Sequence, residues 1–121
     1  MLYRFLVVDD EYYVRQRVKL CIPWESYGFE CVGEAEDASQ AMEIFRRERI
    51  ELIILDISMP GQNGLELIRT LREQGCTAQI VILSGFATFE YARQAMAFGV
   101  AHYLLKPIDA EELKKTVLEI R

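Results

Sequence analysis

The stretch LVVDDEYY, residues 6–13, carries an apolar run straight into two adjacent carboxylates, Asp9 and Asp10. Like charges side by side repel, and burying either one without a partner is costly. The pair is therefore either solvated in a loop or held there for a cation. The apolar residues before it, Leu2–Val8, form a run of strand length bounded by polar residues, which reads as a buried strand. The rest of the chain repeats that pattern.

Moving outward, Val14, Val18, Cys21 and Ile22 recur at helical spacing, with Arg15, Gln16, Arg17 and Lys19 between them. Phe29–Ala35 reads as a second strand. Asp37 with Gln40 forms a capping-box pattern for a helix that buries Ala38, Ala41, Met42 and Phe45. Leu52–Leu55 is a third strand, and SMPGQNG, residues 58–64, is loop chemistry. Asn63 with Glu66 caps a helix over Leu65–Glu73, which Gly75 stops. Ile80–Leu83 is a fourth strand, and Phe89–Phe98 is a helix ended by Gly99. Ala101–Leu105 is a fifth strand. Asp109 and Glu112 box the start of a last helix with inner residues Leu113, Val117 and Ile120. Short apolar strands separated by helices predict an α/β fold of three layers, a parallel sheet covered on both faces.

In a parallel sheet all strands end at one edge, and ligands bind in the crevice outside it. The first run ends at Asp9 and Asp10, the third at Asp56, the fourth at Ser84 and the fifth at Lys106, which precedes Pro107. These residues should converge. Three carboxylates in one cleft exceed what Lys106 can balance, and an all-oxygen set selects a hard divalent cation, Mg²⁺ better than a Ca²⁺ cage. A metal beside a carboxylate, an ammonium and a hydroxyl suits a phosphoryl group, whose charge the cations neutralise.

VVDDE, LDISMPGQNGLEL, ILSG and YLLKP, in this order and spacing, resemble the motifs of the bacterial response-regulator receiver domain over essentially the whole chain. The resemblance implies a doubly wound, flavodoxin-like (CheY-like) sheet of order 2-1-3-4-5 flanked by five helices. It implies Asp56 as phosphoacceptor from a sensor histidine kinase. Asp10 would bind Mg²⁺ directly, Asp9 through water and Ser58 through its backbone carbonyl. Ser84 and Lys106 would hold the phosphoryl group, the Lys106–Pro107 bond would be cis, and Tyr103 would be the switch aromatic that follows Ser84. Ser58 and Phe86, two residues after Asp56 and Ser84, occupy positions that tune the lifetime of the acyl phosphate. Residues 22–41 and 84–108 resemble more narrowly the receivers that precede AraC-type helix-turn-helix domains. On that resemblance residues 1–121 are the N-terminal part of a longer transcription regulator, which would dimerise on phosphorylation and touch DNA only through its output domain.

The bulk numbers agree with a signalling module. A chain of 121 residues, 51% apolar and 27% charged, is one globular domain. Its net charge of −5 disfavours direct nucleic-acid binding. With neither a signal-peptide pattern nor a bilayer-length apolar run, the sequence reads as cytoplasmic. Cys21, Cys31 and Cys76 read as reduced, mostly packed thiols, Trp24 as a plug after the first helix, and His102 as an exposed strand residue rather than a base. Phe89, Tyr91, Met96 and Phe98 give the fourth helix more apolar surface than one buried face needs. With the fifth strand and fifth helix it would form a partner surface.

Three rival functions fit the sequence less well. A Mg²⁺-dependent aspartyl-phosphate phosphohydrolase would place its two acids two residues apart after the first strand. A flavodoxin-like cofactor binder would need a hydroxyl- and Gly-rich loop where DDEYYVR stands. A receiver that only binds partners would not need the full acceptor set. The expectation is a protein that transfers phosphoryl groups to and from itself alone, not an enzyme with an external substrate.

Overall fold

Five strands are hydrogen-bonded in parallel: β1 (Tyr3–Val8), β2 (Phe29–Ala35), β3 (Leu52–Asp56), β4 (Gln79–Ser84) and β5 (His102–Leu105). Their order is β2-β1-β3-β4-β5. Five helices alternate with them: α1 (Tyr12–Leu20), α2 (Ala38–Arg47), α3 (Gly64–Glu73), α4 (Phe89–Met96) and α5 (Ala110–Ile120). The coordinates, a computed structural model, describe residues 2–59, 62–85 and 89–121, without the side chains of Gln62, Phe89, Tyr91 and Ala92. Phe86 and the tip of the 58–64 loop thus lie outside the described residues, as do the side chains of Phe89 and Tyr91.

The alternation of side chains along a strand, with helices on both faces, explains why the buried stretches of the central strands β1, β3 and β4 are apolar at successive positions. Phe5 and Val7, Leu52 and Ile54, and Val81 and Leu83 pack on one face with Val18 of α1 and Leu113 and Val117 of α5. Leu6 and Val8, Ile53 and Leu55, and Ile80 and Ile82 pack on the other face with helices α2, α3 and α4. Both faces of the central strands are buried along these stretches, whereas the edge strands carry exposed positions within their length, as Glu30 and Cys31 of β2 and Leu105 of β5 do.

Trp24 opens a short 3₁₀ turn, Trp24–Tyr27, and is buried. Its Nε1 donates to the Val18 carbonyl at 2.7 Å. Its ring stacks on Phe5 with centroids 4.0 Å apart and meets Phe29 edge-on. That is the plug expected after the first helix, with the indole N–H satisfied.

Several boundaries differ from expectation. α1 ends at Leu20, so Cys21 and Ile22 follow it, although Ile22 stays buried. α4 ends at Met96 rather than Phe98, because Ala97–Gly99 turn and Gly99 takes φ +74°. The carbonyls of Phe98 and Gly99 are held instead by Arg72, at 2.8 and 3.3 Å. Residues 58–64 contain a two-stranded ladder, Ser58–Met59 with Gln62–Asn63, that no period in so short a stretch could signal. The Asp37 cap forms, its Oδ1 accepting from Gln40 N at 2.8 Å, but the Gln40 side chain returns to Glu36 N, one residue before the cap. Asn63 and Asp109 cap α3 and α5 by accepting from Leu65 N and Glu111 N. Within α2, Ile44 is buried, whereas Ala38 and Phe45 are only half-buried. Of the three free thiols only Cys76 is buried. Cys21 is half-buried, and Cys31, on the edge strand β2, is exposed. His102 is half-buried, with Nε2 3.4 Å from Glu119 Oε2. Among the described residues no helix is long and apolar enough to cross a membrane.

Glu34 of β2 gathers three donors from α1. Arg15 Nε lies 3.0 Å and Gln16 Nε2 2.8 Å from its Oε1, and Lys19 Nζ lies 2.6 Å from Oε2. Burial alone would raise the Glu34 pKa, but the hydrogen bonds and charges of Lys19 and Arg15 outweigh it and hold the value below the usual 4.5. A lowered carboxylate pKa stabilises the fold above its unfolded value, and that contribution disappears as pH falls through the native value. Glu34→Gln should therefore cost about 1 kcal/mol at neutral pH. Urea midpoints of the two proteins should converge as the pH is taken well below 4.5. A gap that persists unchanged in acid would show that the network holds by shape rather than charge.

Candidate phosphoacceptor site

At the C-terminal edge of the sheet the expected residues meet. Asp9, one residue past β1, is fully buried, and Asp56, the last residue of β3, is 3% exposed. Asp10 is exposed. Each of the three offers a carboxylate oxygen lying within 4.8 Å of the others. The parallel register delivers them. Val8 pairs with Leu55 and Asp56 with Leu83, so β1, β3 and β4 finish level. Ser84, at the end of β4, is fully buried, and its carbonyl accepts from Lys106 N at 2.8 Å. That bond seats Lys106 one residue beyond β5.

Local backbone geometry aims the carboxylates. Asp9 Oδ1 accepts from Glu11 N, and Asp56 Oδ1 accepts from Ser58 N, both at 2.9 Å. Each acid thus turns one oxygen to its own loop and leaves the other, Oδ2, for Lys106. The Lys106 Nζ stands 2.9 Å from Asp9 Oδ2 and 3.2 Å from Asp56 Oδ2. The contact to Asp9 is an ion pair by distance, but no hydrogen bond with acceptable angles reaches that buried oxygen. Burial pushes the Asp9 pKa up, and the Glu11 amide and Lys106 only partly counter it. For Lys106 burial pushes down, but Asp9 and Asp56 outweigh it and the net shift is upward.

One ammonium faces two buried acids and an exposed third, so negative charge is left over. An incompletely satisfied buried oxygen, an all-carboxylate donor set and open access from Asp10 are what a hard divalent cation requires. The residues fit such an ion.

Glu11 also approaches this site, which its place in the sequence did not reveal. It stands at the N-cap of α1 without capping it, and its Oε1 lies 3.8 Å from Lys106 Nζ. Ser58 is exposed beside Asp56. The Lys106–Pro107 bond is cis, as the resemblance implies. Tyr103, in β5, packs half-buried against the core on the α2–α3–α4 face. Met96 and Leu105 are exposed apolar residues on α4 and β5.

Gly64 couples the site to α3. A Cβ there would stand 2.7 Å from Ile57 Cα and 3.1 Å from the Asp56 carbonyl oxygen. Neither backbone atom can yield without moving the turn that carries Asp56. Gly64→Ala should cost about 1–3 kcal/mol in urea unfolding, with weaker divalent-cation binding than the wild type shows. Unchanged stability would mean that the helix start shifts freely.

Comparison with known proteins agrees with this geometry. The response regulator receiver domain family matches residues 5–118. YesN of Bacillus subtilis, an uncharacterized transcriptional regulatory protein, is 38% identical over 119 residues, 98% of this chain and 32% of that protein. The transcriptional regulatory protein HptR of Staphylococcus aureus is 34% identical over 113 residues, 93% of this chain and 44% of that one. The chain thus spans less than half the length of these curated relatives. Among solved structures, the REC domain of AraT, a response regulator from Geobacillus stearothermophilus, superposes with a TM-score of 0.92 at 34% identity, covering 99% of this chain and 93% of that one. A response regulator receiver protein from Pseudomonas putida gives 0.87, also at 34% identity, with 98% of each chain covered. With its sheet order, its strand-end acids and these likenesses, the chain belongs to the response regulator receiver family, the phosphoacceptor signalling domains of two-component systems.

Proposed function

We propose that Asp56 is the phosphoacceptor, with Mg²⁺ held by Asp10 and Asp56 directly, by Asp9 through water and by the Ser58 carbonyl. The observation that carries this reading is the convergence of Asp9, Asp10 and Asp56 with Lys106 Nζ between the two buried acids. When bound, the cation supplies charge neutralisation to the phosphoryl oxygens. One carboxylate oxygen of Asp56 forms a bond to phosphorus as the donor's P–N bond breaks, and the electron pair leaves on the histidine imidazole of a sensor kinase. With acetyl phosphate the breaking bond is P–O and acetate leaves. Lys106 pairs with the transferred group, and Ser84 donates to it. The same site returns the group to water, so the chain acts on itself and not on an external substrate.

Phosphorylation then changes the populations of two conformations, through Ser84 and Tyr103, and the face of α4, β5 and α5 reports it. Dimerisation on that face is part of this reading. So is a place for residues 1–121 at the N-terminus of a longer regulator that controls transcription through an AraC-type output domain. The transcriptional names of the curated relatives, and the fraction of their length that this chain spans, support a longer transcription regulator, while the AraC type and the N-terminal place rest on the sequence resemblance alone.

The test is the intact mass of the purified chain after incubation with Mg²⁺ and acetyl phosphate. A single phosphoryl adduct, absent with chelator and labile to base, is expected. No adduct with Mg²⁺ present would sink the acceptor reading and leave a partner-binding module.

A further inference from the structure

Two arginines of α1 grip the loops on either side of the site. Arg15 Nη1 donates to the Asp9 carbonyl at 2.6 Å. Arg17 Nε and Nη2 both donate to the Ile108 carbonyl, at 3.1 and 2.7 Å, across 91 residues of sequence. Residues two apart on a helix point about 200° from one another, so the two side chains leave α1 on opposite flanks. Arg15 leaves toward β2 and Glu34, and Arg17 toward α5. Among the described residues Arg17 makes no ion pair, although the chain carries a net charge of −5. Its fork is committed to one carbonyl.

That carbonyl lies two residues past Lys106. The segment from Lys106 to Ile108 is all that separates β5 from the Asp109 cap of α5. It is pinned at one end by the bond from Lys106 N to the Ser84 carbonyl, and at the other by the buried Ile108 side chain and the Arg17 fork. We propose that Arg17 is a positioning residue for Lys106: by holding the Ile108 carbonyl it fixes the loop that places the Lys106 ammonium between Asp9 and Asp56. Helix α1 is then a common frame, with Arg15 setting the acid side of the site and Arg17 the ammonium side. The functional part of this inference rests on the phosphoacceptor reading above, but the positioning itself does not.

The test uses Arg17→Met, which keeps an apolar stem, and Arg17→Lys, which keeps one donor in reach of the carbonyl. Each protein is treated with a limiting amount of a small amine-acylating reagent, and labelling of each lysine is read by peptide mass. In the wild type the Lys106 side chain is 17% exposed and enclosed by carboxylates. Labelling of Lys106 relative to Lys115, an exposed residue of α5, should rise severalfold in Arg17→Met and less in Arg17→Lys. Phosphoryl uptake from acetyl phosphate should change severalfold in Arg17→Met when Lys106 is present, with no further change in a Lys106→Met background. An unchanged Lys106 to Lys115 ratio, or a rise shared by all lysines as general unfolding would give, overturns the proposal. A selective rise at Lys106 in Arg17→Met, where the wild type itself takes up no phosphoryl group, upholds the positioning and rejects the phosphoacceptor reading.

Discussion

Asp56→Asn should take up no phosphoryl group under conditions where the wild type is expected to gain one, and it should stay folded. The reaction needs an anionic oxygen as nucleophile, and a carboxamide oxygen is neutral and far weaker. The substitution keeps the shape of the side chain and an oxygen that accepts from Ser58 N, the bond that orients Asp56 now. It also removes one of three acids packed within 4.8 Å of one another. Lys106 retains Asp9 at 2.9 Å, so the ammonium is not orphaned. Metal-free stability should therefore stay within about 1 kcal/mol of wild type. Intact masses, with urea midpoints as the folding control, decide it. An adduct on Asp56→Asn would place the acceptor elsewhere, with Asp10 the next carboxylate in reach.

Lys106→Met has the largest effect expected on stability. Lys106 supplies the positive charge between the buried Asp9 and Asp56, and methionine keeps the length but not the charge. Breaking one partner out of a buried ion pair costs about 3–5 kcal/mol, because the remaining charge is left uncompensated. The open side of the site, where Asp10 is exposed, puts the expectation at the lower end, about 3 kcal/mol at neutral pH. The pH dependence has a definite sign. Burial already raises the Asp9 pKa, and a raised carboxyl value stabilises the protonated fold, an effect lost as pH rises. Without the ammonium that tendency grows, so the variant should gain on the wild type as the pH falls toward the carboxyl range. The raised Lys106 pKa means the wild type keeps its ion pair up to and beyond the ordinary 10.5. Added Mg²⁺ should narrow the gap at neutral pH, because the cation replaces the missing charge. Urea midpoints across pH, with and without Mg²⁺, test this. A gap indifferent to both would mean that Lys106 stabilises through its alkyl stem.

Much of this was legible along the chain, for physical reasons. A strand buried on both faces must be apolar at successive positions, as Leu52–Leu55 and Ile80–Leu83 are, so such short runs separated by helical periods point to the sheet without any knowledge of contacts. A parallel sheet puts every strand end on one edge, so Asp9, Asp10, Asp56, Ser84 and Lys106 could be brought together from their positions alone. Helix starts were equally readable, because Asp37, Asn63 and Asp109 cap through amides only two or three residues away.

Packing across long separations was decided by the tertiary structure alone. Arg17 looks like any other polar residue on the outer side of a helix, and its bond to the Ile108 carbonyl depends on how α1 lies against the loop before α5. Glu11 occupies a cap position yet faces Lys106, and Arg72 takes the carbonyls at the end of α4. Cys31 is exposed because β2 is the edge of the sheet, which no local pattern reveals. Period, caps and strand ends are set by neighbours in the chain, where sterics and short hydrogen bonds act. Which flank of a helix meets which loop is set only when both faces of the sheet have been covered.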